Sequence, residues 1–180
     1  MRDLRAVHRE LLERWRHITN LVGPGPVDEH FEDCERALAW LRPTGAWVDL
    51  GSGAGFPGLV LAALTPDLRV DLVDSRSRRC AFLQRVLVEA EVSPDRVTVR
   101  CERVEQLPEA RWDGLVARAF APPEDVLEHA ARLLRPGGTV VLFLQEDAPV
   151  PRDARFETFH VEHYAVGGKA RKAAGLRLRA

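Results

Sequence analysis

The sequence predicts an α/β fold in which a mostly parallel β-sheet carries helices on both of its faces. Short apolar segments alternate with amphipathic segments of helical periodicity between residues 46 and 144. Turns rich in glycine or proline separate them, so that four strand-then-helix units follow one another. A length of 180 residues, of which 46% are apolar, suits one domain with a core of its own.

Two amphipathic helices are expected before the first strand, over residues 2–22 and 27–41, with Gly23-Pro24-Gly25-Pro26 as the break between them. The strands are expected at 46–50, 69–74, 96–101, 113–117 and 139–144, and the later helices at 57–64, 77–91 and 123–134. Weak strand signals follow at 156–164 and 175–178. We expect residues 1–42 to form a helical extension packed on a single compact domain of residues 43–180.

The charge and cysteine content exclude several classes of protein. A net charge of −1, from 26 basic and 27 acidic residues, excludes a globally basic nucleic-acid binder but not a local basic patch. The three cysteines are odd in number and form no Cys-x-x-Cys pair, so we expect neither a disulfide scaffold nor a zinc cluster. The first 22 residues are too charged for a signal peptide, and the longest apolar run, 59–64, is too short to span a membrane. We therefore expect a cytoplasmic protein.

Residues 48–58, Val-Asp-Leu-Gly-Ser-Gly-Ala-Gly-Phe-Pro-Gly, are the clearest sign of a ligand site. They follow an expected strand and open an expected helix, and glycines let a backbone approach a ligand closely. The spacing from Gly53 also matches the Gly-x-Gly-x-x-Gly fingerprint of dinucleotide sites. We expect Ser52, Gly53 and Gly55 to approach a cofactor; the alternative is a glycine-rich turn without a ligand.

Asp74 ends the next strand, about twenty residues further on. A carboxylate there can accept hydrogen bonds from both ribose hydroxyls of a nucleoside cofactor. Sites for NAD and for S-adenosylmethionine share this feature, so Asp74 does not separate them. The alternative is that Asp74 caps the following helix, a role that Ser75 or Ser77 could also fill.

Further features favour S-adenosylmethionine over NAD. Glu105 follows the third strand, where an acidic residue can accept from the adenine amino group while Val104 packs on the ring. The segment 133–139, Leu-Leu-Arg-Pro-Gly-Gly-Thr, is common in methyltransferases of the seven-stranded Rossmann-like class. A nicotinamide dehydrogenase would need a catalytic Tyr, Lys or His beyond the sheet, and the only tyrosine is Tyr164.

The segment from Asp49 to Gly58 closely resembles the glucose-inhibited division protein B family, the bacterial 16S ribosomal RNA guanine-N7 methyltransferases. Its Phe-Pro-Gly extension is unusual among methyltransferases, which makes the resemblance specific. The resemblance runs from about residue 10 to residue 145, with a weaker tail. Further family-like features are Trp15 with Asn20-Leu21, His30 with Asp33, Leu72-Val73-Asp74-Ser75 with Arg79 and Phe82-Leu83, Arg103-Val104-Glu105, and Arg118-Ala119-Phe120-Ala121.

The resemblance implies a class I S-adenosylmethionine-dependent methyltransferase fold and methylation of guanine N7 in 16S ribosomal RNA. It implies cofactor contacts at Gly51, Phe56, Val104, Glu105 and Arg118. Arg118 follows the fourth strand, where it could bind the methionine carboxylate or orient the guanine; the alternative is a structural ion pair. Guanine N7 has a free lone pair, so we expect positioning by Arg118 and no general base. Candidate substrate contacts are His30, Asp33 and Arg79.

The expected partner is ribosomal RNA or the small ribosomal subunit, bound by a monomer without a metal. His30, Asp33 and Cys34 have the spacing of metal ligands on a helix, but nothing supplies a matching pair, so packing or substrate contact is favoured. The basic residues near the end of the sequence form either a phosphate-contacting patch or a solvated terminus. They are Lys169, Arg171, Lys172, Arg177 and Arg179.

Three departures from the family pattern concern the substrate side. Glu29 stands where the family usually has arginine, Cys34 where it has serine, and Gln145-Glu146 where it has Lys-Gly. The cofactor residues are intact. The alternatives to a 16S ribosomal RNA enzyme are therefore a methyltransferase of another RNA or a small molecule, and a cofactor-binding paralogue without catalysis.

Overall fold

The computed structural model describes residues 2–19, 21–23 and 25–179, without the side chains of residues 16–19. Asn20 and Pro24, which the sequence analysis assigns to a family-like helix signature and to a turn, lie outside the described residues. The helices are α1 (Leu4–Thr19), α2 (Val27–Leu38), α3 (Gly58–Leu64), α4 (Ser77–Glu89) and α5 (Pro123–Leu133), together with a 3₁₀ turn at Val104–Gln106. All five helices lie where the sequence predicts them, within about three residues at each end.

The described strands form one seven-stranded sheet in the order β3-β2-β1-β4-β5-β7-β6. They are β1 (Ala46–Leu50), β2 (Arg69–Val73), β3 (Val97–Arg100), β4 (Trp112–Ala117), β5 (Leu134–Gln145), β6 (Phe156–Val166) and β7 (Lys169–Leu178). Strands β1 to β5 are parallel, whereas β7 is antiparallel to both β5 and β6. The expected mostly parallel seven-stranded sheet is confirmed.

Two hydrophobic cores lie on the two faces of the sheet. Because successive side chains of a strand point to opposite faces, Trp47 enters one core and Val48 the other. Helices α1 to α4 cover the first face and α5 covers the second. Inner strands covered on both faces read as continuous apolar runs, which is why β1 and β4 were recognisable in the sequence.

The order of the strands determines where a ligand can bind. β1 lies between β2 and β4, so the chain passes to one side after β1 and returns to its other side after β3. The loops that leave the carboxyl ends of β1 and β4 therefore diverge and open a crevice. The glycine-rich segment after Leu50 and the segment after Ala117 lie at this crevice.

Two expectations about the middle of the chain are wrong. No α-helix follows β3 among the described residues; the three-residue 3₁₀ turn takes its place, so only three of the four units contain an α-helix. β5 begins at Leu134 rather than at 139, because Leu134 pairs with Trp112 before a register shift. The Pro-Gly-Gly sequence that reads as a plain turn lies in this register shift, where five residues of β5 pass two residues of β4.

The basic residues from Lys169 to Arg179 are not a solvated terminus, and that alternative is wrong. Lys169–Leu178 is β7, which pairs with β5 on one side and with β6 on the other. Its alanines have weak strand propensity, and this explains why the sequence gives only a partial signal here. The cations consequently divide between the two ends of one strand instead of forming a single patch.

A buried histidine joins α1 to the glycine-rich loop. His8 is 1% exposed, and its Nε2–H donates to the Ala54 carbonyl over 2.6 Å. Its ring packs against those of Phe31, Phe56 and Phe82, with centroid distances of 5.0, 4.9 and 6.1 Å. Burial lowers the pKa of His8 to about 4, although the bond to Ala54 opposes the shift. Helix α1 and the sheet thus share one core, while the division of the chain at residue 42 stays a prediction.

Protonation of His8 is expected to destabilise the fold. Between pH 6.5 and about 4 the unfolded histidine binds a proton that the folded one does not, so this contribution to stability falls as the pH falls. Across that interval the loss is roughly 3 kcal/mol. His8→Gln removes the titration, and the measurement is its free energy of unfolding in urea relative to wild type at several pH values. The difference between the two proteins should shrink towards pH 4; a constant difference would contradict this account. His163→Gln, at an exposed histidine, is the control.

Candidate active site: a two-part cleft

The loop after β1 is held by its own backbone. The Ser52 N–H donates to the Val73 carbonyl over 2.9 Å, and the Gly58 N–H donates to Oδ2 of Asp49 over 3.0 Å. A Cβ on Gly58 would lie 2.5 Å from that carboxylate oxygen, so the first turn of α3 can approach Asp49 only with glycine there. Gly51 has φ +69°, and a Cβ on it would lie 2.6 Å from the Phe120 ring. These glycines allow the loop to fold back tightly over the end of β1.

A cleft with two lobes opens beside this loop. The adenosine-side lobe encloses about 270 Å³ between the ends of β1, β2 and β3, and the Arg118 lobe encloses about 420 Å³ between the loop, α2 and the β6–β7 hairpin. Gly51 and Arg79 line both lobes. The two lobes therefore meet at the glycine-rich loop.

Acidic and apolar groups line the adenosine-side lobe. Asp74 is buried, and its carboxylate accepts from the Gly53 N–H over 3.0 Å, the Arg76 N–H over 2.9 Å and Arg79 over a longer 3.3 Å. A carboxylate can accept about four hydrogen bonds, so Asp74 keeps capacity for another donor. Val104 is buried in the wall, while Glu105 stands exposed at the rim.

Helix α4 has no side-chain cap. Its N-cap position is Arg76, and neither Asp74, Ser75 nor Ser77 caps the helix through its side chain. The capping alternative for Asp74 is therefore wrong. Asp74 lies two residues before the N-cap, and its carboxylate accepts from the backbone N–H of Arg76 and from that of Gly53 in the glycine-rich loop.

Arg118 lies at the centre of the larger lobe. Its Nη1–H donates to Oδ2 of Asp33 over 2.9 Å, and its guanidinium carbon lies 4.9 Å from the centre of the Phe56 ring. Burial alone would lower the pKa of Arg118, but Cys34, Asp33 and Asp49 outweigh it, so the pKa is raised and the group stays charged. Arg118 therefore forms an ion pair with Asp33 and at the same time lines the larger lobe of the cleft.

Asp49 is a second buried carboxylate beside this lobe. Burial raises its pKa to about 7, although the Gly58 N–H and the charge of Arg118 both oppose the shift. Its Oδ1 is buried without a hydrogen-bond partner among the described residues. A carboxyl group near its pKa can be protonated at neutral pH, which lowers the cost of burying it.

The other predicted site residues divide between the cleft and the core. His30 is half-buried at the lobe, with its ring 5.4 Å from that of Phe56. Ser52, Gly53 and Phe56 also line the Arg118 lobe, whereas Gly55 does not line either lobe and faces Leu59 and His8 instead.

The three α2 residues with metal-ligand spacing, His30, Asp33 and Cys34, do not come together as a metal site. Cys34 is fully buried in the core, Asp33 is engaged by Arg118, and no group of metal-ligating residues occurs in the part of the chain that the structure describes. Of the three positions at which the sequence departs from the family pattern, only Glu29 lines the cleft. Glu146 lies outside both lobes, where it binds His163 over 2.9 Å and its carbonyl accepts from Lys172.

Sequence reasoning missed several residues that shape the site. Tyr164 donates to Oδ1 of Asp33 over 2.9 Å, and Nε of Arg171 lies 3.7 Å from the same oxygen. Phe120 forms part of the adenosine-side wall. His8 holds the glycine-rich loop through its hydrogen bond to the Ala54 carbonyl. Of these residues, the sequence indicates Phe120 as part of a family-like segment and Arg171 as one of the basic residues near its end, but neither in the role that the structure gives it.

The fold and the cleft together define a class I S-adenosylmethionine-dependent methyltransferase. The chain is similar to the 1,6-didemethyltoxoflavin-N1-methyltransferase of Burkholderia thailandensis, solved with 1,6-didemethyltoxoflavin and S-adenosylhomocysteine bound. The TM-score is 0.65 and the identity 18%, with coverage of 98% of this chain and 89% of that one. It is also similar to TrmN from Thermus thermophilus, with a TM-score of 0.61, 19% identity and coverage of 87% and 55%. At these identities the likeness establishes the fold.

Residues 6–171 match the GidB family, described as rRNA small subunit methyltransferase G, and the chain belongs to this family. It is 38% identical over 143 residues to a relative from Ruegeria sp., covering 75% of this chain and 68% of the relative. A relative from Rhodospirillum centenum is 43% identical, with coverage of 76% and 63%, and one from Halorhodospira halophila is 35% identical, with coverage of 89% and 80%. All three are named ribosomal RNA small subunit methyltransferase G. The resemblance seen in the sequence is confirmed, and it extends further at both ends.

Glu105 is expected to contribute to cofactor affinity. If its carboxylate accepts from the adenine amino group, Glu105→Ala should weaken binding of S-adenosylhomocysteine by about 1–2 kcal/mol. Isothermal titration calorimetry measures this directly. Glu109→Ala, at an exposed acid outside both lobes, is the matched control and should leave the affinity unchanged. Wild-type affinity in Glu105→Ala would remove Glu105 from the site, and binding of NADH in place of the sulfur compound would overturn the cofactor assignment.

Proposed function

We propose that this protein transfers a methyl group from S-adenosylmethionine to N7 of a guanine in 16S ribosomal RNA. The observation that carries the proposal is the two-lobed cleft at the carboxyl ends of β1, β2 and β4, in a chain that belongs to the small-subunit ribosomal RNA methyltransferase family. The relatives above bear the same name and share 35–43% of their aligned residues with this chain.

The residues of the cleft fit the cofactor. The adenosine-side lobe offers carboxylates at Asp74 and Glu105 for hydroxyl and amino groups, and apolar walls at Val104 and Phe120 for the ring. In the other lobe Arg118 supplies a cation that suits the carboxylate of the methionine part. The tight glycine-rich loop lies between the two lobes, where the absence of Cβ atoms lets a ligand approach its backbone closely.

Positioning accounts for the catalysis. S-adenosylmethionine supplies an electrophilic methyl group when it is bound. Guanine N7 carries a lone pair at neutral pH, so no residue has to remove a proton before it attacks. Asp74, Val104 and Arg118 then act by alignment and by excluding water, which is sufficient for an in-line displacement. This is consistent with Asp33, whose carboxylate is occupied by Arg118 and Tyr164 and is not available as a base.

The charge of the larger lobe supports an RNA substrate. Four cations line it, Arg79, Arg118, Lys169 and Arg171, against two acids, Glu29 and Asp33, which leaves a local surplus of two positive charges in a chain of net charge −1. A cationic cleft attracts phosphates from a distance. The target base must leave its stack to enter, since base edges in structured RNA are otherwise covered.

The partner and location follow from the proposed activity. The partner is ribosomal RNA or the small ribosomal subunit, the protein acts as a monomer, and the site of action is the bacterial cytoplasm. None of the helices in the described ranges is both long and apolar enough to cross a membrane. Glu29 in the cleft, at a position where the family usually has arginine, is the feature that favours a different RNA or a small-molecule acceptor as the alternative.

The substrate assignment is tested by radiolabelled methyl transfer. Purified protein is offered unmethylated small subunits, naked 16S ribosomal RNA, bulk transfer RNA and a metabolite extract. We expect label in 16S ribosomal RNA, and cleavage by reduction and aniline at the labelled site, which is specific for N7-methylguanosine. Label in another RNA or a metabolite would establish the alternative acceptor. Cofactor binding without transfer to any pool would establish a non-catalytic paralogue.

The basic residues of β7 are expected to contribute to RNA affinity only at the end of the strand that lines the cleft. Lys169→Gln with Arg171→Gln removes two charges from the cleft and should reduce the slope of log affinity for RNA against log salt by roughly 1–2 units, because fewer counterions are released. Arg177→Gln with Arg179→Gln removes two charges from the far end of the same strand and should leave the slope unchanged. Filter binding over a salt series measures both. Equal slopes in the two double variants would contradict the assignment.

A further inference from the structure

Three distant parts of the chain converge on the carboxylate of Asp33 in α2. Arg118, from the segment after β4, donates to Oδ2 over 2.9 Å. Tyr164, from β6, donates its hydroxyl to Oδ1 over 2.9 Å. Arg171, from β7, brings its Nε to 3.7 Å from Oδ1, beyond hydrogen-bond range. Each oxygen therefore has one strong donor, and a second guanidinium stands nearby.

The Tyr164 and Arg171 side chains come from directly opposite positions of the β6–β7 hairpin. The two residues are register partners, so their side chains lie next to each other on the same face of the sheet. Burial and the charge of Asp33 both raise the pKa of Tyr164, which keeps its hydroxyl protonated as a donor. Nε of Arg171 is buried and has no hydrogen-bond partner among the described residues. Arg171 is thus a second ion-pair partner of Asp33, and its Nε could form a hydrogen bond to Oδ1 if that oxygen moved closer.

The position of Arg118 depends on which way the Asp33 carboxylate faces. Asp33 is 6% exposed, and its oxygens face two guanidinium groups: Oδ2 accepts from Arg118 at 2.9 Å, and Oδ1 lies 3.7 Å from Arg171. A small rotation of this buried carboxylate would strengthen one pair at the expense of the other. The Tyr164 hydroxyl fixes Oδ1 and thereby turns Oδ2 towards Arg118. On its other side Arg118 rests over the Phe56 ring. Asp33 and Phe56 together hold the guanidinium at the centre of the lobe.

We propose that Asp33 and Tyr164 are positioning residues for Arg118, and that Tyr164 does so by holding Oδ1 of Asp33 so that it does not move into a hydrogen bond with Nε of Arg171. The inference rests on the proposed function, because it assumes that Arg118 aligns the cofactor or the base. Tyr164 does not line either lobe, so it acts through Asp33 and not by contact with a ligand. The β6–β7 hairpin, which also carries Lys169 into the cleft, is in this way connected to the reaction centre.

Tyr164→Phe removes only the hydroxyl and is the primary test. At saturating RNA we expect kcat to fall by about 5- to 20-fold, the range for losing one hydrogen bond to a charged group when part of the loss reaches the transition state. His163→Gln changes the next residue, which lies outside both lobes, and is the matched control. A merely structural role would lower the melting temperature of Tyr164→Phe and leave kcat per folded molecule unchanged, which would overturn the proposal.

Two further variants identify the route. In an Arg118→Lys background, Tyr164→Phe should cost at most about twofold more, because the geometry that it maintains is already lost. Adding Arg171→Gln to Tyr164→Phe removes the competitor and should restore kcat to within about threefold of that of Arg171→Gln alone. Independent losses in the first case, or no restoration in the second, would overturn the role assigned to Arg171 and Tyr164.

A crystal structure of Tyr164→Phe provides a readout that does not need activity. The Asp33 carboxylate should rotate so that it hydrogen-bonds Nε of Arg171, at about 3 Å instead of the present 3.7 Å, while its contact with Arg118 lengthens. An unmoved Asp33 would contradict the positioning role even if the enzyme were active. Wild-type protein that methylates no acceptor would refute the proposed function, and the rotation of Asp33 would still decide the positioning role on its own.

Discussion

The Phe56 ring is where the parts of this protein that form the site come into contact. It packs against His8 of α1 and Phe31 of α2, and its face supports the guanidinium of Arg118. Together with the hydrogen bond from His8 to the Ala54 carbonyl, this contact fixes the N-terminal helices against the glycine-rich loop. The Phe-Pro-Gly extension thus has a physical role beyond the turn itself, since it inserts a large apolar ring between two helices and a cation. The shape of the larger lobe depends on that insertion.

Ionisable groups are buried around the loop, and each of them either has a partner of opposite charge or has a pKa that allows the neutral form. Asp33 has two donors, Arg118 has a carboxylate and an aromatic face, and Asp49 has a raised pKa that allows it to be neutral. His8 is held neutral by burial. Isolated charges in such surroundings would cost several kcal/mol each, so the compensations limit which substitutions the site can accept. They also keep the positive charge of Arg118 available in a region from which much of the water is excluded.

The parallel half of the fold could be predicted from the sequence because its strands are short apolar runs between turns, and its helices have a regular apolar stripe. The β6–β7 pair gave only weak signals at 156–164 and 175–178, since its inner strand is rich in alanine and its outer strand exposes many polar residues. The loop after β1 and Asp74 were recognisable because their chemistry depends on local spacing. The contacts of Asp33 were not, because they join positions 85 and 131 residues apart. The sequence does not indicate that Tyr164 binds Asp33. Cys34 reads as a substrate-side difference from the family pattern, although its side chain lies wholly in the core.

The two roles considered for Arg118, a structural ion pair and the proposed role in the reaction centre, are compatible in one arrangement, because the side chain binds Asp33 and also lines the cleft. A long cationic side chain in water gains little from a single ion pair, because the charges are solvated and the side chain loses conformational freedom. In this cleft the Arg118 side chain is only 19% exposed, so the pair with Asp33 is what makes a cation at that place stable. Stabilisation of charge in a reaction requires groups that are already oriented before the reaction begins. An arginine fixed by a buried carboxylate and an aromatic ring satisfies that requirement, so the ion pair with Asp33 supports the role proposed for Arg118 and does not compete with it.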